Sequence, residues 1–471
     1  MPTVYALRDV PPEVSAYGMA KYSRSNAALR DTLRELSEEK AANFLNTFYF
    51  SYGHASIADL AHVALAIEEV SLLAAMAVVD EPLWDGQERS TRYQNFTQAP
   101  YYRPISADSR FDSLCRGLFD FYHELYQTSA AALEERYPRP NHIKPSAYHR
   151  TMQARALDIA RYALPLATLT SVGQVTSARV LEQQISRLLG SSYPEIQDIA
   201  RQMKEAATVE APFTLDNTNA APVSPTLIKY ALRSEYRDNL DTELLAMAGS
   251  FFNNSSVGDL ASGVELSLGG DPAIDALAMA FYRVISRPFG AIRQTLSSLS
   301  GAELEDLIDS VFQSRGPHDE WPRFFRTAPL LFDMTMDVGA FRDFNRHRRL
   351  TKVVPDLQPE LGFAVPAMLR ELNLGIDYEG RLRQHYAAIA HVGLKVGEEA
   401  YLLPLAHRRR ALFAMDAAEA AYIIELRSRS AGHFSYRELA VSMHHAIAQA
   451  LPGLAKHIRV TPVEVFDPFE R

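Results

Sequence analysis

The sequence predicts an α+β fold made of two tandem copies of a helix-rich domain, each with a small, mostly antiparallel sheet. Three observations carry this. The tetrapeptide Leu-Pro-Leu-Ala occurs at Leu164–Ala167 and again at Leu403–Ala406, each time after Ala-rich helical sequence. Thirteen residues beyond each proline an alanine, Ala178 or Ala417, opens another apolar-periodic helix, which is the matched spacing of an internal duplication. Finally, 471 residues exceed what one hydrophobic core holds, while 47% apolar and 22% charged residues are those of an ordinary globular protein.

In chain order, Arg24 to Glu38 carries helical periodicity. Gly53-His54 precedes a strand-like run, Val63 to Ile67, and a helix-like run follows from Ser71. After Trp84-Asp85-Gly86 the chain reads Glu88-Arg89-Ser90-Thr91-Arg92-Tyr93, and helices are predicted over Phe111–Glu135, Tyr148–Ala163 and Tyr193–Ala207. Turn and breaker signals at Asp216-Asn217-Thr218-Asn219 and Pro222-Val223-Ser224-Pro225 mark a junction, giving domains 1–215 and 216–471. Ser250 to Ser267, rich in Gly and Ser, reads as loops. Beyond His318, Phe332, Met334, Met336 and Val338 alternate with Asp333, Thr335 and Asp337 as a half-buried strand. The next helix ends in Arg346-His347-Arg348, and Tyr436–Leu451 is a closing helix. Both halves thus read histidine, strand, helix, motif, then Leu-Pro-Leu-Ala and a helix.

A net charge of −9 argues against broad nucleic-acid binding. Cys115 is the single cysteine, so an intrachain disulfide is impossible, a cysteine-based metal cluster is disfavoured, and a reducing, cytoplasmic setting fits. Charged Arg8 and Asp9 and then Pro11-Pro12 leave no room for a signal-peptide core. The most apolar stretch, Ile57 to Val79, is interrupted by Asp59, His62, Glu68 and Glu69, so no membrane span is expected. His444 and His445, adjacent on a helix, point apart, and no metal is assigned.

Two short motifs can carry chemistry. Arg346 and Arg348 flank a histidine, and guanidinium forks suit phosphate oxygens; taken alone, the run reads first as a solvated helix C-terminus complementing the dipole. Glu88, Ser90 and Arg92 alternate, so in an extended segment they project to one side, where a carboxylate, a hydroxyl and a guanidinium could hold a nucleotide. Alone, that segment reads first as an exposed polar strand or turn.

Together these residues resemble the flavin-dependent thymidylate synthases, in which Arg-His-Arg and Glu-x-Ser-x-Arg-Tyr stand on one segment. Lys21-Tyr22-Ser23-Arg24-Ser25 is similar to the family's N-terminal Ala-Arg-x-Ser, and Gly53-His54-Ala55-Ser56 to its Gly-His-x-Ser. Ala160-Arg161-Tyr162-Ala163-Leu164-Pro165 matches Ala-Arg-x-x-Leu-Pro, whose arginine contacts the substrate phosphate. Ser177-Ala178-Arg179 stands where the family has Asn-Ala-Arg, and Gln183 where it has a flavin-contacting polar residue.

The signature is divided between the halves. Where Arg-His-Arg would precede Glu88 the chain has Asp80-Glu81-Pro82, acidic groups that repel a pyrophosphate. In the second copy Val354, Asp356, Gln358 and Pro359 replace the Glu, Ser, Arg and Tyr, and Ala400 replaces the substrate arginine. Arg427, however, occupies the position of the family's later arginine, where the first copy has Leu188 beside Arg187.

The resemblance implies methylation of dUMP to dTMP with methylenetetrahydrofolate as carbon donor and FAD, reduced by NADPH, as hydride source. It implies Arg92, Arg427 and Ser90 as catalytic residues, and Glu88, Ser90, Arg92, Arg161 and Arg427 as substrate-binding. Arg346, His347, Arg348, His54, Ser177, Arg179 and Gln183 are the implied FAD contacts. Because family members are homotetramers with shared sites, a homodimer of this chain would imitate the tetramer around a composite site. The alternatives are a homologue acting on another pyrimidine nucleotide, a noncatalytic nucleotide-binding scaffold, and a helical interaction protein.

Overall fold

A computed structural model describes residues 7, 9–21, 29–34, 38–46, 55–216, 220–252, 263–357 and 359–469. It contains two antiparallel sheets. In the first, β1 (His62–Ser71), β2 (Asp85–Glu88) and β3 (Leu169–Ser177) lie in the order β1-β3-β2. In the second, β4 (Val264–Leu268), β5 (Leu330–Asp337), β6 (Thr351–Val353) and β7 (Arg408–Met415) lie in the order β4-β5-β7-β6. Helices form most of the remainder, in keeping with the α+β expectation. Among the described residues no helix is long and apolar enough to cross a membrane.

The sheets share one register. Ser71 of β1 faces Leu169 of β3 as Asp337 of β5 faces Arg408 of β7, and Asp85 faces Val175 as Thr351 faces Ala414. The strand-to-helix corners are built alike. The Ser71 hydroxyl accepts from Ala74 N at 3.0 Å to start helix Leu72–Val78, and the Asp337 carboxylate accepts from Ala340 N at 2.7 Å to start Val338–Asn345. Ser177 and Asp416 cap Ala178–Leu189 and Ala417–Arg427 in the same way. Each cap satisfies an otherwise orphaned helix N–H and is worth about 1 kcal/mol.

The repeated tetrapeptides explain themselves by pairing with each other. Leu166 N donates to Leu403 O at 2.8 Å and Leu405 N to Leu164 O at 2.9 Å. One residue-pair further out, Ala167 N donates to Tyr401 O and Ala406 N to Tyr162 O. Pro165 and Pro404, which have no N–H to give, meet at the centre. These reciprocal bonds define a local two-fold axis, and the leucines and alanines around it are buried at 0–1% exposure.

The cores do not divide as the sheets do. The smaller one holds β1, β3 and the helices Ala178–Leu189 and Pro194–Thr208. The larger joins Phe111, Phe121, Tyr122 and Met152 from the first half to Phe332, Phe344, Tyr378 and Phe413 from the second. Helices Ser109–Arg136 and Pro145–Ala160 therefore bury residues in a core shared with the second half.

Two expectations change. Within Ser250–Ser267, read as loops, Val264–Leu268 is a strand: its alternating side chains pair with β5 and cover an edge that would otherwise be open. Glu88, Ser90 and Arg92 do not share one extended face. The strand ends at Glu88, and the Ser90 hydroxyl accepts from Arg92 N at 3.2 Å, turning the chain locally.

Candidate active site

The helix Val338–Asn345 runs along the boundary between the halves, with all eight residues buried. Arg342 on it reaches into the first half, where one guanidinium nitrogen pairs with Glu88 and another donates to Thr91 Oγ1 at 3.3 Å. Both partners of that ion pair are nearly inaccessible, at 8% and 4% exposure, so each needs the other. At the helix end Arg346 pairs with Asp343, and Arg348 donates to Trp84 O and the Asp85 carboxylate.

Asp343 is the hub. Arg161 Nη2 lies 3.9 Å from its carboxylate and Arg427 Nη1 3.8 Å, while Arg427 Nη2 donates to its carbonyl at 2.8 Å. Burial alone would raise the carboxyl pKa, but Arg346, Arg161, Arg427 and Arg92 hold it down to about 2. Arg161 is 2% exposed, and its Nε and Nη2 lack hydrogen-bond partners among the described residues. It fits because residue 339 is glycine: a Cβ there would lie 3.2 Å from Arg161 Nη2 and 2.9 Å from Asp337 Oδ1.

Arg427 Nε donates to His347 Nε2 at 2.9 Å, which makes that nitrogen an acceptor and the ring neutral. Burial, with Arg427 and Arg346 beside it, pushes the His347 pKa down to about 3. Tyr436 sits between two arginines. Its ring lies 5.3 Å from the Arg427 guanidinium and 5.7 Å from that of Arg92, and its hydroxyl accepts from Arg92 Nη1 at 3.0 Å. Arg92 also forks onto Asp158, at 2.7 and 3.1 Å.

Beside this cluster lies a cavity of about 700 Å³, walled by Trp84–Gln87 and Gly173–Val175 of the first sheet and by Arg346, Arg348 and Arg427. A buried polar chain braces its wall: Trp84 Nε1 donates to Gln174 Oε1 at 2.8 Å, and Gln184 bridges Gln174 to Val78 O. Gly86 lies flat against β3, where a Cβ would meet Gly173 O at 2.3 Å. Three arginines against Asp85 leave the lining net positive, suited to an anionic ligand with a ring to pack on the apolar wall.

Glu88, Ser90 and Arg92 do not line this cavity, so the two parts of the divided signature lie in one region without sharing a wall. Arg346, Arg348 and Arg427 border the cavity, His347 is turned inward on Arg427, and Glu88, Arg92 and Arg161 lie in ion pairs or in the cluster behind it. Ser90 holds its local turn. Ser177 caps its helix, Arg179 pairs with Asp59 at 3.0 Å, and Gln183 is exposed, whereas neighbouring Gln184 is the buried one. His54 and Tyr22 to Ser25 lie outside the described residues. The acidic Asp80-Glu81 is neutralised by Lys352 at 2.7 Å and Arg187 at 2.8 Å.

Sequence reasoning missed Arg342, Asp343, Asp158, Tyr436 and Trp84. The available signal was charge in apolar context: Arg342-Asp343 stands between Phe341 and Phe344, and Asp158 between Leu157 and Ile159.

Comparison with known proteins gives two kinds of match. Residues 7–213 match the model of the thymidylate synthase complementing protein family. A flavin-dependent thymidylate synthase of Clostridium tetani is 27% identical over 204 residues, which is 43% of this chain and 80% of that protein. Two UPF0159 proteins align over nearly the whole length. One from Chlamydia muridarum is 28% identical, covering 97% of this chain and 91% of that protein; one from Thermoplasma acidophilum is 24% identical, covering 94% of each. A single synthase therefore takes up less than half of this chain, whereas the other relatives share its full length.

Proposed function

We propose, from the match of residues 7–213 to the thymidylate synthase complementing protein family and the partial likeness to a flavin-dependent thymidylate synthase, that this chain is a thymidylate synthase-like enzyme methylating dUMP to dTMP at one composite site. Residues 1–215 and 216–471 act as two divergent copies, the first keeping the nucleotide half of the site and the second the flavin half. One observation carries this reading: a single cavity is walled by first-half Trp84–Gln87 and by second-half Arg346, Arg348 and Arg427.

The lining fits FAD, because Arg346 and Arg348 place positive charge for a pyrophosphate next to a braced tryptophan wall. Bound there, FAD reduced by NADPH supplies the hydride while methylenetetrahydrofolate supplies the carbon. The chain's own residues bind and orient. Arg427, steered by His347 and the Asp343 carbonyl, presents positive charge to the nucleotide. Arg161, with unsatisfied N–H groups, supplies a second donor, and Arg92 with Ser90 completes the set when a phosphate displaces the Asp158 fork. Ser177, Arg179 and Gln183 reach the flavin of a second chain in a homodimer.

The ion pairs Arg92–Asp158 and Arg342–Glu88 favour a second reading, a homologue for another pyrimidine nucleotide or a noncatalytic nucleotide binder, since they occupy the nucleotide residues internally. Complementation of a thymidine auxotroph separates the two. The wild-type gene restores growth, and Arg346→Ala and Arg92→Ala each abolish it. Normal growth of either variant removes that residue from the site, and a colourless protein that binds dUMP without supporting growth establishes the noncatalytic reading.

A further inference from the structure

Across the local two-fold from the signature lies another cavity, of about 470 Å³, which the proposed reaction does not use. Its position follows from the shared register. Val354, Pro355, Asp356 and Leu357 line it where the first half has Glu88, Arg89, Ser90 and Thr91, and Asp80 lines it where the second half has Arg346. The nucleotide-binding side chains are gone from this copy, yet the space has not closed.

A cation of different origin replaces them. Arg409, on β7 at the position matching Thr170 of β3, borders the cavity and is 91% buried, being 9% exposed. Its guanidinium lies 4.0 Å from the centre of the Phe341 ring. Nη2 donates to Pro355 O at 3.2 Å, while Nε has no partner, and among the described residues no carboxylate lies within ion-pair distance of it. Asp80 and Asp356 act on this guanidinium only through space, so an anion in direct contact would stabilise it further.

The rest of the lining says what that partner is. Leu73, Met76, Leu188, Ile196 and Leu357 give an apolar floor. Asp80 is already matched by Lys352 and Asp238 by Arg233. Asp356 and Asp241 remain against Arg237 and Arg409, so the cavity is close to neutral, and a doubly charged phosphate would bring more negative charge than Arg409 can offset. A singly charged group with an apolar body suits it better.

We propose that this cavity is a second ligand site, distinct from the composite site, that takes a small aromatic or aliphatic monocarboxylate whose carboxylate pairs with Arg409. The geometry is that of an effector site retained from the degenerate copy. It adjoins helix Val338–Asn345 through Phe341 and Asn345, so occupancy bears on the same helix that carries Arg342 and Asp343.

The test is saturation-transfer NMR and calorimetry on the full chain with sodium benzoate as probe and phenyl phosphate as comparator. Saturable benzoate binding is expected, unaffected by excess dUMP and at least tenfold tighter than phenyl phosphate. Arg409→Met should weaken it at least tenfold. Because that variant alters a central strand, Ser192→Trp at the exposed rim provides a second blockade without touching the core, and should weaken benzoate equally. No saturable binding, displacement by dUMP, tighter phenyl phosphate, or wild-type affinity in folded Ser192→Trp each overturns the proposal.

Discussion

Replacing Asp343 by Asn tests the charge hub while leaving its shape nearly unchanged. The carboxylate is 8% exposed and faces Arg161, Arg346 and Arg427, with Arg346 in direct contact. Its pKa, held from 3.8 down to about 2, corresponds to about 2–3 kcal/mol favouring the ionised form in the folded protein. The sign follows from the depression: the contribution is complete above the unfolded pKa near 4 and disappears as pH falls through about 2. Removing one partner of a buried pair also leaves the other charges unpaired, an effect of about 3–5 kcal/mol. Urea unfolding of Asp343→Asn at pH 7 should therefore show a loss of about 3 kcal/mol, and the gap from wild type should narrow below pH 4. A stability within about 0.5 kcal/mol of wild type at pH 7 would refute the hub, because three arginines would then need no common counter-ion.

Glu88→Gln and Arg342→Met should each destabilise by about 2–4 kcal/mol, and the double variant by less than their sum, since one buried pair links the halves; additive losses in a double-mutant cycle would contradict that link. Gly86→Ala drives a Cβ into Gly173 O and the Trp84 ring, so a loss of about 1–3 kcal/mol with a shifted Trp84 emission is expected, against an unchanged protein if the strands are looser than described. His347, depressed from 6.5 to about 3, is neutral when folded and protonated when unfolded over that window, so stability falls as pH drops from 6.5 towards 3; His347→Gln should flatten this by up to about 1.4 kcal/mol per pH unit, and an identical acid profile would contradict a buried neutral ring.

What the sequence made legible was periodic and local. The strand Val63–Ile67, the alternating run around Phe332 and the helices near Phe111 and Tyr148 all appear, because their apolar spacing records which face is buried. The duplicated Leu-Pro-Leu-Ala signalled repetition, but only the structure supplies the reason, a reciprocal pairing across a two-fold axis. Val264–Leu268 was obscured by its Gly- and Ser-rich surroundings, and its strand state comes from the edge of β5, a distant partner. The arginines of the site were visible through motif. Their counter-ions were not: Asp158 and Asp343 are matched to charges far away in sequence, and nothing in a helix period marks such a pairing. For the same reason Gln184, rather than Gln183, proved to face inward.

The central claim is that the two halves make one site, and a crystal structure of the chain soaked with both dUMP and FAD tests it most directly. Both ligands should occupy the cavity between Trp84–Gln87 and Arg346, Arg348 and Arg427, with the nucleotide phosphate within hydrogen-bond reach of Arg92, Arg161 or Arg427. Nucleotide and flavin bound in separate, distant pockets would contradict it.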